Sequence, residues 1–454
     1  MSLNLLPYPN HLKELGGARK LAEGEPRLLQ DGAVAPEGYR LTITADEAVL
    51  AFADEAGRFY GEQTLLQLRN ADGTVPLVEI DDAPRMGWRG FMIDSSRHIQ
   101  TVDEIKAMID AAASYKCNVF HWHLGDDPGW RLESERYPLL NTVGAWRDGW
   151  GFGNPNPARY GGLFTKAQIR DIVAYCAARH VTVVPEFDIP GHSSAVLKAY
   201  PNLSCFEKEC NTTTQAGVYD NVLCAGKEET FDFCFSVLEE MIDLFPGKYI
   251  HIGGDEVPKK NWNACPLCQK RMKEKGLKNG EELQGYFTRR IAGFLKAHGR
   301  IAMGWNEVLE AGLDPDDVVA VKWDDPKNAC DAYANRGGKV LNENRHYFYL
   351  DYSYRTTPLR KTFSYDPLPD TLTEAGRKNV LGVEAPIWTE WVEDFRRMGY
   401  QCFPRLLALA ERGWTAPGAR GYDEFKRVAE LQRTALAARG IEMAPYDEWD
   451  PVAK

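Results

Sequence analysis

Two adjacent carboxylates, Asp255 and Glu256, are the side chains of this sequence best suited to chemistry. They end the segment His-Ile-Gly-Gly-Asp-Glu over residues 251–256, which begins as a short apolar run. A carboxyl group that acts as a general acid needs a raised pKa, and burial and a neighbouring negative charge both provide it. Because Asp255 places a charge beside Glu256, the pair predicts acid–base catalysis with a raised pKa for Glu256.

Carboxylates, histidines and tryptophans also follow the other apolar runs of the chain. These runs cover residues 90–94, 118–123, 181–187, 249–253, 300–304, 318–323, 339–341 and 380–384. The side chains that follow them include Arg97, Asp126, His192, Trp305, Trp323, Tyr349, Asp351, Trp388 and Glu390. Barrel enzymes build their active sites at the carboxyl ends of several strands at once. With no Ser or Cys nucleophile motif in the sequence, this set favours acid–base work on a glycosidic bond.

The elements that must position these side chains alternate along the chain. Helical patterns occupy residues 102–115, 166–180, 229–245, 281–298, 393–411 and 421–438. Eight buried strands separated mostly by helices predict an α/β fold with a parallel sheet that closes into a (β/α)8 TIM barrel. Before the barrel, residues 39–53 predict two alternating strands, residues 54–69 a helix and residues 76–80 a further strand. We therefore predict a small α+β domain over residues 1–84 and a catalytic barrel over residues 85–454.

The composition of the 454-residue chain limits the classes of partner that it can bind. A net charge of −11 and a pI near 5.5 argue against nucleic acid, which requires a basic face. The chain contains 12 Trp, whose rings stack well on the apolar faces of sugars. No window approaches the length of apolar sequence that spans a bilayer, and the first residues show no secretory signal. We expect a protein without membrane partners in the cytoplasm, with its oligomeric state open.

Ten cysteines leave one question undecided. Cys205, Cys210 and Cys224 fall in one loop, and Cys265 and Cys268 form a Cys-x-x-Cys pair. A second such pair or a nearby His pair would favour zinc strongly, and neither is obvious. A structural metal and a disulfide both remain open for these five residues.

Several longer segments resemble glycoside hydrolase family 20, the β-N-acetylhexosaminidases. The segment His-Ile-Gly-Gly-Asp-Glu-Val is the most specific of them. The resemblance covers nearly the whole chain, through residues 57–68, 88–98, 121–131, 185–192 and 251–257. It implies exo-acting, retaining hydrolysis of a terminal GlcNAc or GalNAc from a small oligosaccharide, with no cofactor and no metal in the catalytic site.

The resemblance also implies a role for each site residue. In this family the substrate's own 2-acetamido oxygen attacks the anomeric carbon, and no enzyme nucleophile is needed. Glu256 would protonate the leaving oxygen and then activate water, while Asp255 would accept the acetamido N–H. The supporting pair of the acid would be Asp126 and His192. Binding roles fall to Tyr349 for the acetamido oxygen, to Arg97, Asp351 and Glu390 for the hydroxyls, and to Trp305, Trp323 and Trp388 for the pocket walls.

Three other interpretations stay open. A lacto-N-biosidase or a 6-sulfo-GlcNAc hydrolase of the same family would use the same carboxylates, although Asp351 would repel a sulfate. A non-catalytic sugar-binding barrel is disfavoured because a binder has no need of the acid Glu256. A metal-dependent hydrolase could use His121, His123 and Asp126, since an alternating His-x-His on a strand places both rings on one face.

Overall fold

The first domain is a mixed five-stranded sheet with one helix on it. The computed structural model describes residues 3–451. In spatial order, the strands are His11–Lys20, Thr74–Asp82, Tyr39–Ile43, Ala48–Phe52 and Arg27–Gln30. The helix Glu55–Leu68 begins at Asp54, whose side chain accepts the Gly57 N–H. The predicted strands and helix of this domain are confirmed, and the strands His11–Lys20 and Arg27–Gln30 are additions to them.

The two unpredicted strands lack the pattern that reveals a half-buried strand. His11–Lys20 and Arg27–Gln30 are exposed over almost their whole length. A strand with no buried face has no need of alternating apolar residues, so periodicity cannot reveal it. The sheet ends at Asp82 and the first barrel strand begins at Trp88. The boundary between residues 84 and 85 stays a prediction.

Eight parallel strands close the barrel, as predicted. In chain order they are Trp88–Asp94, Val119–His123, Thr182–Glu186, Tyr249–His251, Ile301–Trp305, Val319–Lys322, Val340–Asn342 and Val380–Ile387. Each strand pairs with its chain neighbour, and the eighth pairs with the first. All carboxyl ends therefore meet at one mouth, which brings side chains from distant parts of the sequence together.

Helices surround the barrel unevenly. The longer ones are Val102–Ser114, Lys166–Ala177, Glu228–Leu244, Pro266–Lys275, Gly280–Ala297, Phe395–Cys402, Arg405–Trp414 and Tyr422–Leu431. The shorter ones are Ser194–Ala199, Lys260–Ala264, Ala329–Asn335, Arg345–Phe348, Leu359–Ser364, Glu374–Arg377 and Arg433–Ala437. A 3₁₀ segment, Asn306–Ala311, follows the fifth strand. Among residues 3–451, no helix is long and apolar enough to cross a membrane.

Two predicted helices are each divided in the structure. The predicted helix over residues 393–411 is Phe395–Cys402 followed by Arg405–Trp414, because Pro404 has no N–H to continue the first helix. The predicted helix over residues 421–438 is Tyr422–Leu431 followed by Arg433–Ala437. The helix Arg405–Trp414 packs on the first and eighth barrel strands. Its last residue, Trp414, contacts the first domain.

Polar contacts fix the first domain to the barrel. Asp82, at the end of its sheet, accepts hydrogen bonds from Tyr39 at 2.8 Å and from Trp414 at 2.9 Å. The ammonium group of Lys116 lies 3.2 Å from the same carboxylate. All four side chains are buried, and Trp414 belongs to the apolar core of the first domain. The first domain is thus packed on the barrel at the end opposite the mouth.

Candidate active site

A tight turn after the fourth barrel strand presents Asp255 and Glu256. Gly253 and Gly254 have φ of +62° and +99°, and Glu256 itself has φ of +47°. A Cβ atom at position 253 would lie 1.6 Å from an oxygen of Asp188, so only glycine fits there. The Gly254 N–H donates to the Asp188 carboxylate at 3.2 Å. A non-glycine residue held in the left-handed region, as Glu256 is, marks a position that the surrounding structure fixes for function.

The turn places the two carboxylates in different surroundings. The side chain of Asp255 is 13 % exposed and that of Glu256 is 37 % exposed. Burial and the negative charge of Asp188 raise the pKa of Asp255 well above its usual value. Its Oδ1 atom is buried and accepts no hydrogen bond from any residue within 3–451. Asp255 therefore has one oxygen available for a ligand.

The expectation of a raised pKa for Glu256 is wrong for the free protein. The interaction with His192 holds the pKa of Glu256 below its usual value. His192 Nε2 forms an ion pair at 3.6 Å with Glu256 Oε2 and lies 3.7 Å from Asp255 Oδ2. The sequence placed a negative neighbour beside Glu256, and the fold adds a positive one.

His192 and Asp126, which the sequence predicts as a pair that supports the acid, are in contact. The Nδ1 atom of His192 lies 3.2 Å from a carboxylate oxygen of Asp126 and 3.2 Å from one of Asp127. Burial alone would lower the pKa of His192, but the charges of Asp126 and Asp255 raise it well above its usual value. The imidazolium ring thus links the Asp126 carboxylate on one side to Asp255 and Glu256 on the other.

Below this pair, Glu186 is the centre of a buried network. Its Oε1 atom accepts a hydrogen bond from Trp305 at 3.0 Å and lies 2.8 Å from His251 Nδ1. Its Oε2 atom contacts His123 Nδ1 and lies 3.2 Å from His121 Nε2. Although burial raises its pKa, the charges of His123 and His251 hold the pKa of Glu186 well below its usual value. Four strand ends are joined through this one carboxylate.

The ring nitrogens of His121 and His123 point to carboxylates. His121 Nδ1 lies 2.7 Å from Glu384, and His123 Nε2 lies 2.9 Å from Asp126. Burial lowers the pKa of His121, but the charge of Glu384 and the contacts of the ring with the Glu186 and Glu384 carboxylates raise it to about 9. The contacts favour an ion-pair network over the metal-dependent hydrolase that His121, His123 and Asp126 left open.

Aromatic rings from four strand ends form the walls of the site. The ring centroids of Trp305 and Trp388 lie 5.8 Å apart, and those of Trp388 and Tyr349 lie 6.3 Å apart. Trp323 stacks on Tyr349 with centroids 6.2 Å apart. The indole N–H of Trp323 donates to Glu307, which fixes the plane of its ring. Burial raises the pKa of Tyr349 well above its usual value, so its hydroxyl stays a donor.

Arg97, Glu390 and Asp351 lie at the rim of the same site. The guanidinium group of Arg97 lies 2.7 Å from Asp126, 3.7 Å from Glu390 and over the ring of Trp388. Burial and the nearby Glu390 raise the pKa of Asp351 to about 8. Asp351 Oδ1 is buried and, like Asp255 Oδ1, accepts no hydrogen bond within the described chain. The eleven predicted site residues are thus connected either by side-chain contacts or by charges that shift the pKa of a neighbour.

Sequence reasoning assigned no role to several residues that support the site. Glu186 and His251 end their strands, Glu384 lies within the strand Val380–Ile387, and all three side chains are fully buried. Asp94 accepts the backbone N–H groups of Arg97 and Thr389, which positions the first and eighth strand ends together. The available signal was a carboxylate or histidine in a buried strand, where an apolar residue is usual.

Fold and site together define a TIM-barrel protein with two adjacent carboxylates at its mouth, a class that includes the glycoside hydrolases. The chain belongs to glycosyl hydrolase family 20, because residues 86–417 match its catalytic domain and residues 10–83 match its domain 2. The resemblance drawn from the sequence is therefore confirmed, and so is the assignment to a glycoside hydrolase.

Known relatives agree with this assignment. A beta-hexosaminidase of Porphyromonas gingivalis is 40% identical over 426 residues, which cover 89% of this chain and 54% of that protein. One of Akkermansia muciniphila is 36% identical over 89% of this chain and 84% of its own length. The solved Vibrio harveyi exo beta-N-acetylglucosaminidase, in complex with N-acetylglucosamine, is 28% identical with a TM-score of 0.87, covering 98% of this chain and 78% of that one. This chain thus spans about half of the P. gingivalis relative.

Proposed function

We propose that this chain is an exo-acting, retaining β-N-acetylhexosaminidase that removes terminal GlcNAc or GalNAc with the help of the substrate's own amide. One observation carries the proposal. Asp255 has a buried oxygen, Oδ1, that has no partner within residues 3–451, while its neighbour Glu256 is the more exposed of the two. A buried acceptor beside an accessible proton donor suits a reaction in which one group steers the substrate and the other exchanges protons with it.

The proposed reaction proceeds in two steps. In the first, the acetamido oxygen forms a bond to the anomeric carbon while the bond to the leaving sugar breaks, and Glu256 gives its proton to the leaving oxygen. In the second, Glu256 takes a proton from a water molecule whose oxygen attacks the same carbon and reopens the oxazoline ring. Two inversions give net retention. Asp255 accepts the acetamido N–H, and Tyr349 donates to the acetamido oxygen.

Substrate binding must reverse the protonation preferences of the free protein. The pKa of Asp255 is raised and that of Glu256 is lowered, whereas the reaction needs an ionised Asp255 and a protonated Glu256. A sugar over Glu256 removes water from a side chain that is 37 % exposed, which raises its pKa. The acetamido N–H and the positive charge of the oxazolinium ring favour the ionised form of Asp255. Binding of the substrate thereby favours the protonated form of Glu256, which is the active acid.

The rim residues support recognition of a non-reducing end. Arg97 and Glu390 suit the 3- and 4-hydroxyls, and Asp351 has an unpartnered oxygen within the described chain for the 6-hydroxyl. A 6-hydroxyl can hydrogen-bond to this carboxyl group in either protonation state, whereas a 6-sulfate would be repelled by its ionised form. These contacts favour a single terminal sugar with a free 6-hydroxyl.

Release of a disaccharide is the second candidate, and one observation favours it. A cleft of about 410 Å³ adjoins Glu390 and is lined by Phe152, Asn154 and Trp391. The ring of Trp391 is 62% exposed, and an exposed tryptophan beside a sugar site is suited to stacking on another sugar ring. A second sugar bound in this cleft is what release of a disaccharide by a lacto-N-biosidase would require.

Product analysis separates the two candidates. p-Nitrophenyl N,N′-diacetylchitobioside and p-nitrophenyl lacto-N-bioside are each incubated with the wild-type protein and with Glu256→Gln. We expect single GlcNAc units from the first substrate, no release from the second, and a large loss of the first activity in Glu256→Gln. Intact disaccharide from the second substrate would support the alternative, and no turnover of either would support a non-catalytic binder. The cytoplasmic location stays a prediction.

A further inference from the structure

The sulfur atoms of four cysteines form a cluster beside the barrel mouth. The Sγ atoms of Cys205, Cys224, Cys265 and Cys268 all lie within 4.8 Å of one another. Cys224 Sγ lies 3.8 Å from Cys265 Sγ and 3.6 Å from Cys268 Sγ. Cys205 Sγ lies 3.8 Å from Cys268 Sγ. The four residues come from two separate loops, so the fold and not the local sequence brings them together.

These distances are those of a tetrahedron of thiolates around a metal ion. A zinc–sulfur bond of about 2.3 Å sets the edges of such a tetrahedron at about 3.8 Å. A disulfide bond would instead join two sulfur atoms at about 2.05 Å and leave each atom a single partner. Here Cys224 and Cys268 each have two sulfur neighbours at 3.6–3.8 Å. None of the ten cysteines is in a disulfide in the part of the chain that the structure describes.

We propose that Cys205, Cys224, Cys265 and Cys268 bind one structural Zn²⁺ ion as a closed four-thiolate site. Four sulfur ligands leave no open coordination position, which is the arrangement of structural rather than catalytic zinc. Binding releases the thiol protons, because only thiolates are ligands. The site is separate from the carboxylates of the barrel mouth and takes no part in the proposed reaction.

The loops are built to hold the four sulfur atoms. Cys265 is the residue before the helix Pro266–Lys275, and Cys268 lies in its first turn. A helix N-terminus favours nearby negative charge, which suits two thiolates. Cys205 and Cys224 are held by the antiparallel bridge between Ser204 and Leu223. The loops touch at Gly226, where a Cβ atom would lie 2.5 Å from the Cys268 nitrogen.

The proposed zinc ion would connect the two loops that carry the acid and its supporting histidine. The Leu223 N–H donates to the carbonyl of Pro190, two residues before His192, at 3.0 Å. The indole N–H of Trp262, six residues after Glu256, donates to the carbonyl of Leu223 at 2.9 Å. Zinc would therefore fix the positions of His192 and Glu256 relative to each other, because it would hold the loops that carry them.

Metal content of the purified protein tests the site directly. Zinc and iron are measured by mass spectrometry of the elements, and release of zinc on titration with an organomercurial is followed with a colorimetric chelator. We expect about one zinc per chain, released only as the thiolates react. In Cys224→Ser and Cys265→Ser we expect zinc near zero, a Tm lower by several degrees and a larger loss in kcat than in KM.

Cys210→Ser is the matched control. Cys210 lies in the same loop as Cys205, but its sulfur atom contacts the carbonyls of Ser194 and Asn211 instead of the cluster. We expect this variant to keep its zinc and its Tm. Replacement of the zinc by Co²⁺ should give the charge-transfer absorption of tetrahedral thiolate ligation in the wild type and in Cys210→Ser.

Three results would overturn the proposal. The first is a denatured mass lower by four hydrogens, which means that two disulfides have formed from the four cysteines. The second is four free thiols without metal in protein prepared under reducing conditions with zinc supplied. The third is an iron centre at these residues. Each can be read without measuring glycosidase activity, so failure of this proposal and failure of the proposed function are distinguishable.

Discussion

Three carboxylates of the barrel mouth, Glu186 in a lower layer and Asp255 and Asp351 in an upper layer, differ in how fully they are paired. In the lower layer, Glu186 contacts Trp305 and three histidines, and both of its carboxylate oxygens have partners. In the upper layer, Asp255 and Asp351 each have a buried oxygen without a partner among residues 3–451. A buried acceptor without a donor costs about 1–3 kcal/mol, so it persists where a ligand supplies the missing donor.

The difference separates groups that position from groups that bind. A fully paired carboxylate such as Glu186 is held ionised and immobile, which makes it a fixed support for the residues above it. An unpaired one such as Asp255 stores a cost that the substrate's N–H relieves, most fully when positive charge develops on the acetamido group. Three substitutions at the barrel mouth and one pH profile test the distinction, from the largest expected effect to the smallest.

Glu256→Gln removes the proton donor and should have the largest effect. General acid catalysis contributes about 10²–10⁴-fold, so kcat/KM for chitobiose should fall by about that factor. With an aryl glycoside whose leaving group needs no proton, the first step should lose far less. Steady-state kinetics on both substrates provide the measurement. An equal loss on the two would contradict the assignment of Glu256 as the acid.

Asp255→Asn keeps the size of the side chain and removes its charge. We expect kcat to fall by about 10²–10³-fold, as for the loss of one partner that acts on transition-state charge. Because the charge develops whichever group leaves, the loss should be similar for aryl and sugar leaving groups. Comparison of kcat for the same two substrates checks this. A variant altered only in KM would assign Asp255 to ground-state binding.

Glu186→Gln tests the lower layer against a buried pair remote from the mouth. Removing one partner of a buried ion pair costs about 3–5 kcal/mol, so both Glu186→Gln and Glu411→Gln should lower the free energy of unfolding. Glu411 pairs with Arg420 at 2.8 Å and is fully buried. We expect kcat to fall by up to about 10²-fold in Glu186→Gln alone, since misplaced groups react slowly. Equal kcat values in the two variants would contradict a positioning role for Glu186.

The pH dependence of the reaction should show the change in Glu256 on binding. A general acid is active while protonated, so activity is lost as pH rises through its pKa. The profile of kcat/KM reports the free protein, in which His192 lowers the pKa of Glu256, and that of kcat reports the complex. We expect the alkaline limb of kcat to lie at higher pH than that of kcat/KM. The reverse order would contradict activation by the substrate.

Most of the fold could be predicted from the sequence because the barrel strands are buried runs with polar residues at their ends. All eight predicted strands form, since each run is too apolar to lie anywhere but between the barrel interior and its helices. The exposed strand Arg27–Gln30 could not be predicted, because it has no buried face to give it a pattern. Pro404 signals the end of the helix Phe395–Cys402, but a continuous apolar pattern across it concealed the break.

The site was predicted in its members but not in its electrostatics. Asp255 and Glu256 are adjacent in sequence, so their mutual charge could be read directly. His192 is 63 or more residues away, and its 3.6 Å approach to Glu256 depends on two loops meeting. The cysteine cluster escaped prediction for the same reason. Cys265 and Cys268 are visible as a pair, whereas Cys205 and Cys224 join them only in the fold.

The role of the substrate's amide can be measured most directly with two substrates that differ only at the 2-position. p-Nitrophenyl β-N-acetylglucosaminide and p-nitrophenyl β-glucoside share a leaving group, and the second has a hydroxyl where the first has the acetamido group. We expect kcat/KM for the glucoside to be lower by at least about 10⁴-fold, because it offers no internal nucleophile to place beside Asp255. Cleavage of both at comparable rates would contradict the account.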